Sequence, residues 1–224
     1  NSDNGVSSKS SPATATKTAE LLVFNIASRS LERRVDLDDL LPGVRHFAND
    51  IALNPNGEVY VTDSFSPVIY KVTADGIASI LVRNDVLFTS PTFGLNGIVY
   101  HPDGYLIVAN TGRGKLFKVD LKNGNAITEV SGIGSLPGDG LTLVGTTDLY
   151  VVTGGSKVAL VRSDNNFATA SVVDSQTDGY AQATTSTYVN GQIFTLNARI
   201  GEIGAAMGDP SKLTSNTYSI QRYK

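Results

Sequence analysis

An internal repeat constrains this chain more than any other feature. The stretch Gly94–Asp120, GLNGIVYHPDGYLIVANTGRGKLFKVD, has a copy upstream at Ala48–Thr73, ANDIALNPNGEVYVTDSFSPVIYKVT. Asn49 falls on Asn96, Gly57 on Gly104, Asp63 on Asn110 and Lys71 on Lys118, all at one offset of 47. A third unit, Gly138–Ser175, follows at an offset of 43, setting Asn96 on Asp139, Asn110 on Thr153 and Phe117 on Leu160. Within each unit, short apolar runs alternate with period 2 and are separated by turn residues such as Pro55-Asn56-Gly57 and Pro102-Asp103-Gly104. That is the pattern of consecutive antiparallel strands.

Units of 40–50 residues with four strands each are the pattern of a β-propeller. Strands are expected at Glu20–Ser28 and Leu31–Leu37, then four in each repeat, the last of the third being Thr169–Val173. A final unit holds Thr184–Val189, Gln192–Leu196, a long Gly-rich loop and Thr217–Tyr223. The expected organisation is a polar arm or loop over 1–18 and one propeller over 19–224. Its parts are a partial blade 19–41, blades 48–87, 94–134 and 138–176, and a last blade 180–224. The first of these lacks two inner strands and the last lacks an outer one. The expected architecture is therefore all-β, a six-bladed propeller of four-stranded blades. This chain supplies about four and a half of them, and a blade and a half lies on a separate N-terminal segment of the same propeller. An irregular five-bladed ring is the alternative.

Composition narrows the partners. Charged residues make up 17% and the net charge is −3, so no basic field invites nucleic acid or an anionic membrane. Without cysteine, disulfides and thiolate metal sites are excluded. No apolar run is long enough for a transmembrane helix. The stretch 1–18, NSDNGVSSKSSPATATKT, has too few apolar side chains to order itself. A small-molecule substrate and a monomer are expected.

In a propeller blade, residues before the first strand and after the second share one rim of the channel. The starts are Asn49, Asn96 and Asp139, and the ends are Asp63, Asn110, Thr153 and Asn197. Their recurrence predicts a ring of amide and carboxylate oxygens, which suits Ca²⁺ or another hard divalent cation. Zinc would require His or Cys, and these positions carry neither. Capping of loop backbone is the competing role for such residues. Arg113 and Arg199 are candidates to bind an acidic substrate at the mouth, with solvated surface arginine as the default role, and Asn110 joins Arg113 and Asn49 as a substrate-side candidate. His46 is expected to pack a loop and His101 to support the opposite rim. No Gly-x-Ser-x-Gly elbow occurs, which argues against a serine hydrolase.

The segments ANDIALNPNG, GLNGIVYHPDG and PGDGLTL, in that order and spacing, resemble the gluconolactonase / senescence marker protein (regucalcin) / strictosidine-synthase-like superfamily. The strands VYVTD and LIVANTGRGKLFKVD are similar to its plant-type calcium-dependent phosphotriesterase-like members. The resemblance implies a divalent cation at the channel mouth. Asn96 and Asp139 match its metal ligands, Asp139 also its general base, and Asn49 a residue contacting substrate or metal-bound water. The Asp139 motif carries one extra glycine, Pro137-Gly138-Asp139, and the family's first-blade Glu ligand has no counterpart. The implied activity is a Ca²⁺-dependent hydrolase of the lactone, ester or phosphotriester type. A non-catalytic propeller serving as a ligand-binding or protein-interaction scaffold is the alternative. An extracellular or secretory location follows from the resemblance alone.

Overall fold

A computed structural model describes residues 1–207, 209–215 and 217–224. The fold is all-β, with antiparallel sheets arranged as propeller blades. The first sheet pairs β1 (Glu20–Phe24) with β2 (Leu31–Asp36). The second is a meander of β3 (Ala48–Leu53), β4 (Val59–Asp63), β5 (Val68–Val72) and β6 (Ala78–Arg83). The third contains β7 (Leu95–His101), β8 (Tyr105–Asn110), β9 (Lys115–Asp120) and β10 (Ala126–Glu129). The fourth contains β11 (Gly138–Val144), β12 (Asp148–Thr153), β13 (Lys157–Arg162) and β14 (Ser171–Gln176). The last has β15 (Ala183–Val189), β16 (Gln192–Asn197) and β17 (Ser219–Arg222). The strands β3, β7, β11 and β15 lie side by side as the inner row.

The core sits between blades, not within them. A pleated strand sends alternate side chains to opposite faces. In β8, Leu106 and Val108 pack toward the second blade with Tyr60, Ile69 and Leu95. Ile107 and Ala109 pack toward the fourth with Leu149, Val151 and Phe167. All six residues of β8 are buried, so the strand reads as a continuous apolar run. A smaller layer of Val152, Val158, Tyr180 and Ala183 joins the last two blades.

Several boundaries differ from the sequence reading. Strand β14 begins at Ser171, two residues beyond the expected start, because Phe167 and Ala170 are drawn into the interblade core. The expected Gly-rich loop contains a short helix, α1 (Ile200–Ala206), flanked by Arg199 and Met207 in the left-handed region. Gly201 and Gly204 lower helix propensity there and masked the element. Gly208 and Asn216, which the expected loop included, lie outside the described residues.

The polar stretch 1–18 forms a turn-rich loop gathered on Asp3, which accepts from Gly5 N, Ser10 Oγ and Thr14 Oγ1. Ser2 bridges Ala19, and its hydroxyl donates to Ala48 O at 2.8 Å. This contact recurs around the ring. Ser64 Oγ donates to Leu95 O at 2.6 Å, and Thr111 Oγ1 donates to Gly138 O at 2.6 Å. A hydroxyl just past the second strand thus latches the second blade to the third and the third to the fourth, whereas at the next seam Ala183 N donates to Gly155 O. Ser2 makes the same contact to β3 from the 1–18 loop.

Candidate functional site

Every inner strand is interrupted at the same level. The register slips between Ala48 and Ile51, Leu95 and Ile98, Gly138 and Leu141, and Ala183 and Thr185. Bulges re-aim side chains and bend the strand. The residues they present are Asn49 and Asp50, Asn96 and Gly97, Asp139 and Gly140, and Thr184. Three of the sequence-predicted residues, Asn49, Asn96 and Asp139, therefore occupy equivalent places. Asp50 and Thr184 belong to the same level and were not singled out by sequence reasoning. Asp50 was visible in the Asn-Asp dipeptide, whereas the drifting repeat length hid Thr184.

The bulges of neighbouring blades touch. A Cβ on Gly97 would lie 2.2 Å from the Asp139 carbonyl oxygen, and one on Gly140 would lie 2.6 Å from Thr185 Cα. Glycine is required at both places because the next backbone fills the space. At the corresponding position the second blade carries Asp50. Its Oδ2 accepts from Ile98 N of the third blade at 3.0 Å, and Oδ1 accepts from Ile51 N at 2.9 Å.

Asn49, Asn96 and Asp139 each face the residue fifteen positions on. Asn49 Nδ2 donates to Ser64 Oγ at 2.8 Å, and Asn96 Nδ2 donates to Thr111 Oγ1 at 3.0 Å. For Asp139 that residue is Gly154, so the hydroxyl is missing. Burial pushes the Asp139 carboxyl up to about 6; hydrogen bonding from Asn96 opposes this, and the charge of Asp50 adds to it. Burial also raises Asp50, against the two backbone N–H groups it accepts. Neither carboxylate pairs with a Lys, Arg or His among the described residues. Two partly desolvated carboxylates beside a carboxamide, with no counter-charge, form a donor set that a hard cation fits. The described residues contain no group of three or more His, Cys, Asp or Glu placed to hold a metal.

The residues ending the second strands do something else. Asn110 is fully buried. Its Nδ2 donates to Phe88 O at 2.9 Å, and its Oδ1 accepts from Arg113 N. The expected substrate-side role of Asn110 is therefore replaced by a loop clamp, since its amide is fully engaged inside the protein. Arg113 is likewise engaged by loop backbone, its guanidinium donating to Thr89 O at 2.8 Å and Val86 O at 2.6 Å. Arg199 pairs with Glu202 at the start of α1. Asp63 is completely buried; its Oδ1 accepts from Phe47 N, Phe65 N and Ser66 N, and its Oδ2 meets His46 Nδ1 at 2.9 Å and Tyr70 OH at 3.1 Å. Asn197 also bonds to loop backbone, and Thr153 Oγ1 donates to Lys157 O at the start of β13.

Both histidines pack as expected. His46 is buried with its Nε2 3.0 Å from Leu41 O. Burial lowers its pKa, but Asp63 outweighs this and the net shift is upward. His101 is fully buried, stacks on Tyr105 at 4.1 Å and reaches Thr146 O of the next blade.

Surface clefts of about 450 and 490 Å³ lie elsewhere, one beside the 1–18 loop and one on the outer side of the fourth blade. Neither is lined by a bulge residue. The bulge level is therefore identified by its chemistry and not by cavity size.

No protein-family model matches the sequence, and no curated protein matches it. Solved structures match the fold. The major allergen Mala s 1 of Malassezia sympodialis is similar over 88% of this chain and 66% of its own, with 19% identity and a TM-score of 0.67. A selenomethionine-substituted virginiamycin B lyase from Staphylococcus aureus is similar over 81% of this chain and 57% of its own, with 16% identity and a TM-score of 0.59. A streptogramin B lyase is similar over 94% of this chain and 63% of its own, with 14% identity and a TM-score of 0.59. The chain thus spans two thirds or less of the length of these structures. Some of these neighbours are enzymes by name. At such identity the likeness establishes the propeller fold and leaves the chemistry to the residues.

Proposed function

We propose that the bulge level is the active site of a metal-dependent hydrolase acting on a lactone, ester or phosphotriester. One observation carries this reading. Asp139 is a partly buried carboxyl pushed up to about 6 by burial, beside a second carboxylate and a carboxamide and without a compensating cation. Asn96 and Asp139 would hold Ca²⁺ or another hard divalent ion, with Asn49 at the edge of the set and waters or further chain completing six to eight oxygens. Such an ion, when bound, polarises the substrate oxygen and favours ionisation of water.

The chain's own residues supply the rest. Asp139 accepts a proton from the attacking water as its oxygen bonds to the carbonyl carbon or phosphorus. The bond to the leaving oxygen then breaks, and Asp139 returns the proton to that oxygen. Asp50, fixed by Ile51 N and Ile98 N, sustains the negative field that keeps Asp139 basic. Asn49 and Asn96, oriented by Ser64 and Thr111, present amides toward the substrate side.

The same reading includes a six-bladed ring, in which chain preceding Asn1 supplies the inner strands of the first blade, another blade and the outer strand of the last. It is supported by Ser2 making the latch contact to β3 and by the three-stranded last blade. A scaffold without catalysis is the second reading, favoured by the absence of a third acidic or imidazole ligand among the described residues. Titration of the full chain with Ca²⁺ and Tb³⁺, together with hydrolysis of γ-lactones, aryl esters and aryl phosphotriesters, tests between them. Metal-dependent turnover lost in Asp139→Ala supports the hydrolase. Tight metal binding without turnover of any of these substrates supports the scaffold.

A further inference from the structure

Three phenylalanines meet on the same rim as the bulge residues. Phe47 stands just before β3, Phe65 in the loop between β4 and β5, and Phe93 just before β7. Their ring centroids are 5.4 Å apart for Phe47 and Phe65, 5.7 Å for Phe47 and Phe93, and 5.3 Å for Phe65 and Phe93. None belongs to an interblade core layer. Phe93 is 38% exposed, and the other two are half-buried. Rings that contribute to no core and remain open to solvent form an apolar surface whose packing role is incomplete.

The patch is held rigidly and joins the bulge level. One oxygen of the buried Asp63 accepts from both Phe47 N and Phe65 N at 2.9 Å. Ser64 N donates to Phe47 O, and Gly94 N, next to Phe93, donates to Ser64 O. Ser64 also takes the Asn49 amide through its hydroxyl. The aromatic wall is therefore one residue from the side chain that orients Asn49, and Phe93 is three residues before Asn96. Above it, the Arg45 guanidinium lies 4.3 Å from the Phe65 ring centre. Arg45 makes no ion pair among the described residues, whereas Arg113, Arg162 and Arg199 are engaged by protein acceptors.

We infer that Phe47, Phe65, Phe93 and Arg45 form a subsite for an aryl group carrying a carboxylate. The aryl face would pack against the phenylalanine cluster, edge to Phe93, and the carboxylate would pair with Arg45, whose charge the Phe65 ring already orients. This names the acyl side of the substrate proposed above and rests on that reading for its catalytic meaning. Binding itself does not require turnover.

The test uses the full chain and saturation-transfer NMR titration with 4-phenylbutanoate, 4-phenylbutan-1-ol and butanoate. In the wild type, phenylbutanoate is expected to bind at least about tenfold more tightly than either truncated probe. Arg45→Gln should weaken phenylbutanoate about fivefold to tenfold and leave phenylbutanol unchanged. Phe93→Ser should weaken both aryl probes, and Phe93→Leu, which keeps the apolar volume if Phe93→Ser misfolds, should weaken them less. No difference between phenylbutanoate and butanoate, or equal phenylbutanoate binding by wild type and Arg45→Gln, overturns the inference. Aryl carboxylate binding without ester hydrolysis would remove the hydrolase and keep the subsite. Hydrolysis of aliphatic lactones with no aryl carboxylate binding would do the reverse.

Discussion

Two sets of polar residues recur in register around this propeller, and they behave in opposite ways. The residues that end the second strands, Asp63, Asn110, Thr153 and Asn197, hold nearby backbone in place. Of the residues at the inner-strand bulges, Asn49 and Asn96 donate to the latch hydroxyls of Ser64 and Thr111, and Asn96 also bonds the Asp139 carboxyl. Both sets have the same residue types and the same spacing. What separates them is the bulge, which frees a side chain from the alternation of the strand. Periodic polar residues therefore identify a level of the blade, and only local backbone geometry decides whether that level is a clamp or a site.

The comparison breaks most sharply at Asp63 and Asp139. Replacing Asp63 with Ala leaves three backbone N–H groups, His46 and Tyr70 without their buried acceptor. A loss of about 3–5 kcal/mol in urea unfolding is expected. Asp139→Asn should leave stability unchanged or raised, because a desolvated carboxyl is removed, while hydrolysis falls by about 10²-fold or more. If Asp63→Ala is as stable as wild type, the clamp assignment fails.

The pH dependence of the metal-free protein provides the next test. In the folded chain the Asp139 carboxyl is raised from 3.8 to about 6. Across that window the folded state binds more protons than the unfolded one, so its stability falls as pH rises from about 4 to about 6. The expected fall in chelator is about 2–3 kcal/mol, absent in Asp139→Asn. His46, on the clamp side, is raised above 6.5. Its contribution is complete below 6.5 and is lost as pH rises through the higher folded value, a separate limb that Asp139→Asn leaves in place. A single limb that survives in Asp139→Asn would show that burial does not perturb the bulge carboxyl.

Smaller effects sharpen the contrast. Asn110→Ala should cost about 1–3 kcal/mol by freeing Phe88 O and Arg113 N, with hydrolysis unchanged at saturating substrate. Gly154→Ser should return the missing hydroxyl to Asp139. A Cβ there would sit 3.5 Å from Asp139 Oδ2, an ordinary contact, and the glycine is not in the left-handed region. The added donor should lower the Asp139 carboxyl measured by ¹³C NMR and change stability by only a few tenths of a kcal/mol.

Much of this architecture was legible in the sequence because repeats carry their phase with them. The offset linking Asn49, Asn96 and Asp139 located the inner-strand level directly. The short apolar run Tyr105–Ala109 between turn residues marked a strand, which the structure buries on both faces. The opposite fates of Asn96 and Asn110 were not legible, since each is an Asn beside a strand and a bulge leaves no composition signal in a single sequence. Asp50 was visible in the Asn-Asp dipeptide, but its role was not. Its equivalents are Gly97 and Gly140, so the repeat gives no sign that its carboxylate spans two blades to Ile98 N. The helix α1 was obscured by its own glycines and stands on contacts with Gln182, whose side chain accepts from Gly201 N.

The glycines at 97 and 140 also set the aperture of the channel. With the Asp139 carbonyl and the Thr185 main chain already seated where a methyl would stand, these blades rest on a mechanical stop of backbone against backbone. Neighbouring blades can be wedged apart at those seams by a single added carbon but cannot be drawn closer. Spacing among Asn96, Asp139 and Thr184 is then fixed by main-chain dimensions and not by side-chain packing. The distances among these side chains should therefore tolerate changes in the surrounding apolar layers far better than they tolerate alanine at either seam.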